Sequence, residues 1–173
     1  GYLALSPDCR LADSENLANV TGDFRVGGVA GYVADSAGAV PDTVSLTNCA
    51  NQGLVLGADS ASDYVGGIAG YTDGAILDRW TSRSGRSTGF AYTADQKNLL
   101  RGSYVGGIVG YGDHSYIRDC ATQADGYILG GRYVGGIAGG LAGATQESIQ
   151  HQTVSVTANA SYVIGNDYVG GIV

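Results

Sequence analysis

The sequence is poor in the residues that mark several common classes of protein. Its 173 residues include no methionine, two prolines and one tryptophan, and charged residues make up only 14%. No run of about 20 apolar residues occurs, so we expect no membrane insertion within this segment. The net charge of −7 disfavours nucleic acid as a partner, because phosphate contacts need clustered Lys and Arg.

Catalytic and metal-binding signatures are also missing. Cys9, Cys49 and Cys120 are 40 and 71 residues apart, so no C-x₂₋₄-C zinc knuckle exists. His114 and His151 stand in polar, turn-like stretches, and no motif ties a nucleophile to either of them. The sequence therefore predicts no catalytic residue, no metal, no cofactor and no enzyme activity.

Glycine is abundant, with 30 residues, and so are hydrophobic residues, at 44%, which argues against disorder. Much of this glycine lies in one motif: "RVGGVAGY" at 25–32, "YVGGIAGY" at 64–71, "YVGGIVGY" at 104–111, "YVGGIAGG" at 133–140 and "YVGGIV" at 168–173. A motif that recurs every 29 to 40 residues indicates a repeat architecture. The structural glycines of the repeat are Gly27, Gly28, Gly66, Gly67, Gly106, Gly107, Gly135, Gly136, Gly170 and Gly171.

Two further segments recur before each glycine pair. One contains cysteine, as in "LTNC" at 46–49 and "IRDC" at 117–120, and the other is a short apolar run, as in "LVLG" at 54–57 and "YILG" at 127–130. Turn residues separate these strand-like pieces, and no sustained 3.6-residue period predicts a helix. The pattern predicts an all-β fold, a right-handed parallel β-helix (β-solenoid) built of about five three-strand repeats.

We expect one domain over 1–173, with repeats near 5–32, 44–71, 75–111, 115–140 and 147–173. Stacking should place Val65, Val105, Val134 and Val169 in one column. The glycine pair has two interpretations: close packing on both sides of a strand, or a tight corner with positive φ. An open end would expose strand edges, so we expect the chain to be a fragment of a longer repeat protein that continues past Val173. In the fragment, a partner chain or a second copy is expected to cover that end.

The motifs "LTNCANQGLVLG" (46–57) followed by "YVGGIAGY" (64–71) resemble the GLUG-repeat family. The resemblance extends over nearly the whole chain, although Trp80 and Gln152 replace the cysteine in two repeats. It implies a non-catalytic module of a large secreted or cell-surface microbial protein, of the adhesin-like or immunoglobulin A peptidase-associated kind. The expected partners are adjoining repeats of the parent chain and a host or environmental surface.

The cysteines are predicted to form a buried core column of Cys9, Cys49 and Cys120, since cysteine behaves as a small hydrophobe. A Cys9–Cys49 disulfide is the alternative. Carboxylates at partly equivalent positions (Asp73, Asp78, Asp113 and Asp119) leave a carbohydrate-binding or carbohydrate-processing β-helix open, and a third possibility is an accessory region of a large surface protease. A structural role in turns, where Asp side chains bond to the local backbone, explains the aspartates more simply.

Positive charge is concentrated in the middle of the chain. Residues 1–78 carry ten acidic residues and two arginines, whereas residues 79–132 carry four acidic and seven basic residues. The long segment after Trp80 contains a possible patch for an acidic ligand, formed by Arg83, Arg86, Lys97 and Arg101, with Phe90 and Tyr92 nearby. Arginine pairs with carboxylate or sulfate, so acidic glycans are the predicted ligands. A solvated loop surface is the alternative.

Overall fold

A computed structural model of the chain describes residues 1–5, 10–35, 44–57, 63–78, 81–82, 87–88, 102–122, 127–142, 153–155 and 162–173. All regular structure in these ranges is β-strand. The first eleven strands in chain order are β1 Tyr2–Leu5, β2 Arg10–Ala12, β3 Glu15–Asn16, β4 Val20–Gly22, β5 Phe24–Gly27, β6 Ala30–Asp35, β7 Val44–Thr47, β8 Ala50–Asn51, β9 Val55–Gly57, β10 Asp63–Gly66 and β11 Ala69–Asp73. The others are β12 Ala75–Asp78, β13 Thr81–Ser82, β14 Ser87–Thr88, β15 Ser103–Gly106, β16 Val109–Asp113, β17 Tyr116–Arg118, β18 Ala121–Thr122, β19 Tyr127–Leu129, β20 Arg132–Gly135, β21 Ala138–Ala142, β22 Thr153–Ser155, β23 Tyr162–Ile164 and β24 Asp167–Gly170.

The strands form five sheets in which hydrogen-bonded neighbours come from successive repeats. The strand orders are β1-β6-β11-β16-β21, β5-β10-β15-β20-β24, β2-β7-β12-β17-β22, β3-β8-β13-β18 and β4-β9-β14-β19-β23. The described pairs are parallel. The predicted all-β, parallel architecture is therefore confirmed. None of the described residues forms a helix that is long and apolar enough to cross a membrane.

Equivalent residues of the motif stack directly on one another. Val65 pairs with Val105, Val105 with Val134, and Val134 with Val169, which confirms the predicted valine column. Val65, Val105 and Val134 are completely buried, and Ile128 packs in the same cluster. In-register stacking thus buries the same apolar side chain once per repeat and makes a continuous core.

The described part of the chain has five short strands in the repeat, so the prediction of three is wrong. Two of the predicted segments bend in the middle. The cysteine segment bends at Asn48 and Asp119, whose φ angles of 54° and 52° lie in the left-handed region that Asn and Asp tolerate. The glycine segment bends after Gly66, at the end of β10, and continues as β11.

The glycine pair lies at this bend, but its backbone is not left-handed, since the described glycines with positive φ are Gly74 and Gly102. A Cβ on Gly66 would overlap the carbonyl oxygen of Ala69 and would lie 2.6 Å from the amide nitrogen of Gly110. Only glycine fits such a tight bend without moving the backbone. Gly27, Gly106, Gly135 and Gly170 meet the carbonyl oxygen three residues later in the same way.

Candidate functional site

Each glycine motif begins with a residue in a rare backbone conformation. Tyr64 has a φ of 60°, whereas a bulky residue seldom adopts the left-handed region. The ladder skips this residue, because Asp63 pairs with Ser103 and Val65 with Val105. Such a conformation costs about 1–3 kcal/mol and persists only where the surrounding contacts hold it. The same conformation is found at Arg25, Tyr104, Tyr133 and Tyr168.

A third glycine of the motif lets two sheets touch through their backbones. A Cβ on Gly70 would lie 2.6 Å from the amide nitrogen of Val26, and a Cβ on Gly110 would lie 2.6 Å from that of Val65. Because no side chain separates the strands at this point, the aromatic residues at the two ends of the motif come together. The rings of Tyr64 and Tyr71 are 5.3 Å apart, in an edge-to-face arrangement.

The result is an array of rings in two columns, which we call the tyrosine face. In the first column Tyr104 stacks on Tyr64 and on Tyr133, at centroid distances of 5.2 and 4.7 Å. In the second column Tyr71 stacks on Tyr111 at 5.3 Å. Each such pair adds about 0.5–1.5 kcal/mol beyond the burial of its area. The face comprises Tyr2, Phe24, Tyr32, Tyr64, Tyr71, Tyr104, Tyr111, Tyr133 and Tyr168.

Stacking determines what the tyrosine face can bind. The planes of Tyr104 and Tyr133 are 8° from parallel, and those of Tyr104 and Tyr64 are 14° from parallel. Both faces of the Tyr104 ring are therefore covered by its neighbours in the column. A sugar that binds by lying flat on a ring has no free face there. Tyr168, which stacks on Tyr133 and is 68% exposed, differs in this respect.

Arg25 occupies the position in the first repeat that tyrosine occupies in the others. Its guanidinium carbon lies 4.4 Å from the ring centre of Tyr32 and 4.9 Å from that of Tyr71. These are cation–π distances. The guanidinium thus packs against Tyr32 and Tyr71 of the second column, although Arg25 holds the position of the first-column tyrosines.

Burial and nearby carboxylates keep the phenols protonated. Burial, followed by the charges of Asp113 and Asp73, raises the pKa of Tyr71 to about 12. Burial also raises the pKa values of Tyr32 and Tyr111 above their ordinary range. Tyr32, Tyr71 and Tyr111 therefore lose their protons only at a higher pH than an ordinary tyrosine does.

An Asp–Asp–His cluster lies beside the second column. Asp73 and Asp113 stand opposite each other on β11 and β16, and His114 Nδ1 lies 2.8 Å from Asp113 Oδ1 and 3.9 Å from Asp73 Oδ1. The shorter contact has the distance of an ion pair. The three ligand atoms lie within 4.8 Å of one another, so they are within reach of one cation. The contacts of His114 with the two carboxylates account for the same arrangement without an ion.

The other predicted aspartates lie farther along the repeat, Asp78 at the end of β12 and Asp119 just after β17. Asp78 stands opposite Arg118 on the neighbouring strand, one residue away from Asp119. Asp119 is exposed and occupies the left-handed bend of the cysteine segment. The sequence placed Asp73 and Asp113 on equivalent positions correctly, but it gave no reason to connect them with His114.

The cysteine position faces the core. Cys49 and Cys120 are thiols that are each 1% exposed, and both precede strands of the same sheet. Burial raises the pKa of the Cys49 thiol, which donates to the carbonyl oxygen of Thr47 at 3.5 Å. In the first repeat the register assigns this position to Ser14, because Glu15 pairs with Ala50. Cys9 lies outside the described residues.

The predicted acidic-ligand patch also lies outside the described residues, which include none of Arg83, Arg86, Lys97 and Arg101. Sequence reasoning missed the tyrosine face, although its signal was present: aromatic residues at both ends of the motif in "YVGGIAGY". Alternation along a flat strand places Tyr64 and Tyr71 on opposite sides. The left-handed residue and the bend bring them to the same side.

No family model, curated protein or solved structure matches this chain.

Proposed function

We propose that the chain is a right-handed parallel β-helix of about five repeats, of the GLUG type, that serves as a non-catalytic spacer or adhesion region in a secreted or cell-surface microbial protein. The observation that carries the proposal is the register: five parallel sheets in which neighbouring strands come from successive repeats. Right-handed crossovers are the rule between parallel strands of one sheet. The extracellular location rests on the resemblance of the motifs to that family.

The mechanism of a spacer is mechanical. Each repeat contributes hydrogen bonds to neighbouring repeats, such as the one from Ile68 N to Ile108 O at 2.9 Å. The valine column and the tyrosine face strengthen the same contact between repeats. Five repeats at the usual strand spacing rise about 24 Å. Such a body holds its two ends at a fixed distance, which a flexible linker does not.

Single-molecule force spectroscopy with handles at both ends of the chain tests this mechanism. We expect the protein to stay at one length until it unfolds in one or a few discrete steps. Val105→Asp, which buries a charge in the middle of the core, should lower the unfolding force. Thr21→Asp, which adds a charge at an exposed strand position, is the control and should leave the force unchanged. Gradual extension at low force would contradict the spacer proposal.

Adhesion requires a ligand, and we propose acidic glycans on a host or environmental surface. The support is the excess of basic residues in 79–132. The tyrosine face supports neither acidic glycans nor neutral sugars as ligands, because neighbouring rings cover both faces of an inner tyrosine. Loops inserted in repeat proteins commonly carry the binding function.

Binding to sulfated or sialylated glycans should fall in the Arg83→Ala/Arg86→Ala variant and should weaken as salt rises, because exposed charges are screened within about 8 Å at physiological ionic strength. Arg10→Ala removes a positive charge from an exposed strand position outside residues 79–132 and is the control. If both variants bind like the parent protein, without salt dependence, the module is a spacer alone.

A further inference from the structure

The first column of the tyrosine face holds the phenols of successive repeats in near-parallel contact. The rings of Tyr104 and Tyr133 have centroids 4.7 Å apart and planes 8° from parallel, which is closer than the other described stacked pairs of the face. This pair lies inside the column, with Tyr64 on the far side of Tyr104 and Tyr168 on the far side of Tyr133. The two rings are therefore held together from both directions.

The two phenols also point in the same direction. Tyr104 and Tyr133 have φ angles of 57° and 54°, and the residues that follow them, Val105 and Val134, are paired in the ladder. Burial, followed by the hydroxyl groups of Tyr133 and Tyr64, raises the pKa of Tyr104, so the hydroxyls of the column lie near one another. Parallel rings with neighbouring hydroxyls bring the carbons beside one phenol oxygen next to those beside the other.

The edges of these rings can be reached by a small reagent. Tyr104 and Tyr133 are both half-buried, and stacking covers their faces and not their edges. The hydroxyl group and the two carbons beside it belong to the edge of a tyrosine ring. Reactions at the edge therefore remain open to this pair, although a sugar cannot lie flat on the inner ring.

We propose that Tyr104 and Tyr133 form a site of oxidative cross-linking, at which hydrogen peroxide activated by a haem joins the two side chains as dityrosine. Each phenol gives one electron and one proton to the oxidant and becomes a radical whose unpaired electron is shared with the carbons beside the oxygen. One such carbon of Tyr104 forms a bond with its counterpart on Tyr133. The hydrogen of each bonded carbon then moves to the phenol oxygen, and the peroxide, with two electrons and two protons, becomes two water molecules.

The new bond would join two neighbouring repeats covalently. Tyr104 and Tyr133 are 29 positions apart in the sequence, so the bond closes a long loop in the unfolded chain and lowers its conformational entropy. Linked protein should consequently have a higher urea midpoint than unlinked protein. This inference goes beyond the proposed function, because it rests on the register of the rings and not on a role as a spacer.

Peroxide and a small haem peptide, added to dilute protein, test the proposal. Trypsin places the two tyrosines in different peptides, residues 102–118 and 133–173, and tandem mass spectrometry of the linked pair identifies the bonded residues. The same reaction in urea provides the comparison. The folded protein should give at least about ten times more of this link, because groups held as neighbours react at a far higher effective concentration than groups on a flexible chain.

Tyr104→Phe is the decisive variant, because it keeps a ring in the column and removes the hydroxyl group that the radical requires. It should lose the link between peptides 102–118 and 133–173. Tyr116→Phe removes a phenol from the same tryptic peptide but from strand β17, in another sheet, and should keep the link. Circular dichroism melting curves verify that both variants are folded.

Three results would overturn the proposal: equal yields of the link in folded and unfolded protein, a link that persists in Tyr104→Phe, or folded protein in which Tyr104 is joined to Tyr64 and not to Tyr133. An unchanged urea midpoint of the purified linked protein would contradict the expected stabilisation. The force measurement described above uses unlinked protein, so the spacer proposal and the cross-linking proposal can fail independently.

Discussion

Single residues determine where the backbone of this protein bends. Glycine is required at position 66 because the backbone leaves no space for a Cβ atom. Tyr64, two residues before it, has a backbone conformation that a tyrosine rarely adopts. Together they convert one continuous apolar stretch of sequence into two strands with a bend between them. Substitutions at such positions should act through the backbone and not through the loss of a side-chain contact.

Gly66→Ala should destabilise the protein by about 2–4 kcal/mol, because the added Cβ overlaps the carbonyl oxygen of Ala69 and backbone must move. Gly171→Ala is the matched control within another copy of the motif, since a Cβ there meets nothing within 4 Å. Urea unfolding measures both. Equal effects of the two substitutions would show that close approach at the bend is not the reason for glycine.

The phenol of Tyr71 should make stability depend on pH at the alkaline end. Its pKa is about 12 in the folded protein and about 10 in an unfolded chain. Between these values the unfolded state loses the proton and the folded state keeps it, so the stability contribution present below pH 10 is lost as pH rises towards 12. Urea unfolding across this range should show a shallower decline for Tyr71→Phe. If the parent protein and Tyr71→Phe lose stability equally as pH rises, a group other than Tyr71 has the raised pKa.

Alkylation should distinguish the buried thiols from exposed ones. Cys49 and Cys120 are each 1% exposed, and the raised pKa of Cys49 lowers its thiolate fraction further. We expect slow labelling of both in the native protein and fast labelling after unfolding, followed by peptide mass spectrometry. A Gln52→Cys variant supplies an exposed thiol that should react at once. Rapid native labelling of Cys49 and Cys120 would mean that this column faces solvent.

At the scale of the strand, polar ladders accompany the apolar ones. Asn51 is completely buried and accepts a hydrogen bond from Asn16 Nδ2 at 2.7 Å. Its own Nδ2 donates to the carbonyl oxygen of Gly53 at 2.7 Å. The side chain thus fixes the turn that leads from β8 to β9 and joins two repeats at the same time.

Asn51→Ala should therefore destabilise the protein by about 2–3 kcal/mol, because Asn16 Nδ2 and the backbone of Gly53 lose their hydrogen-bond partner. Asn16→Ala removes the outer member of the same ladder, where the side chain is half-buried, and should have a smaller effect. Thermal melting of the two variants provides the comparison. A larger loss from Asn16→Ala would contradict the assignment of Asn51 as the centre of the ladder.

The sequence predicted correctly those features in which one residue type recurs for a single structural reason. The spacing of the valines sufficed to predict their column, because strands that stack in register place equivalent side chains on one another in the core. The number of strands was missed because bends depend on φ at Tyr64 and Asn48, and a tyrosine gives no sign of a left-handed backbone. The tyrosine face follows from those bends, so it could not be predicted by counting alternate residues.

At the scale of the whole molecule, stability should depend on position within the stack. In a repeat array each unit is stabilised mainly by its neighbours, so a unit with one neighbour is weaker than a unit with two. Amide hydrogen exchange should consequently be slowest in the central strands β10 and β15 and faster in β24. The exposed apolar residues of the last described repeat, Val169 and Ile172, are a further expression of the same asymmetry.

A pair of identical substitutions tests this dependence. Val105 and Val169 stand in the same column of the same motif, but the first is completely buried and the second is 45% exposed. Val105→Ala should cost about 1.5–3 kcal/mol, since it empties space in a packed core, whereas Val169→Ala should cost less than about 1 kcal/mol. Denaturant unfolding measures both values. Equal costs would show that the last described repeat is packed as tightly as the central ones.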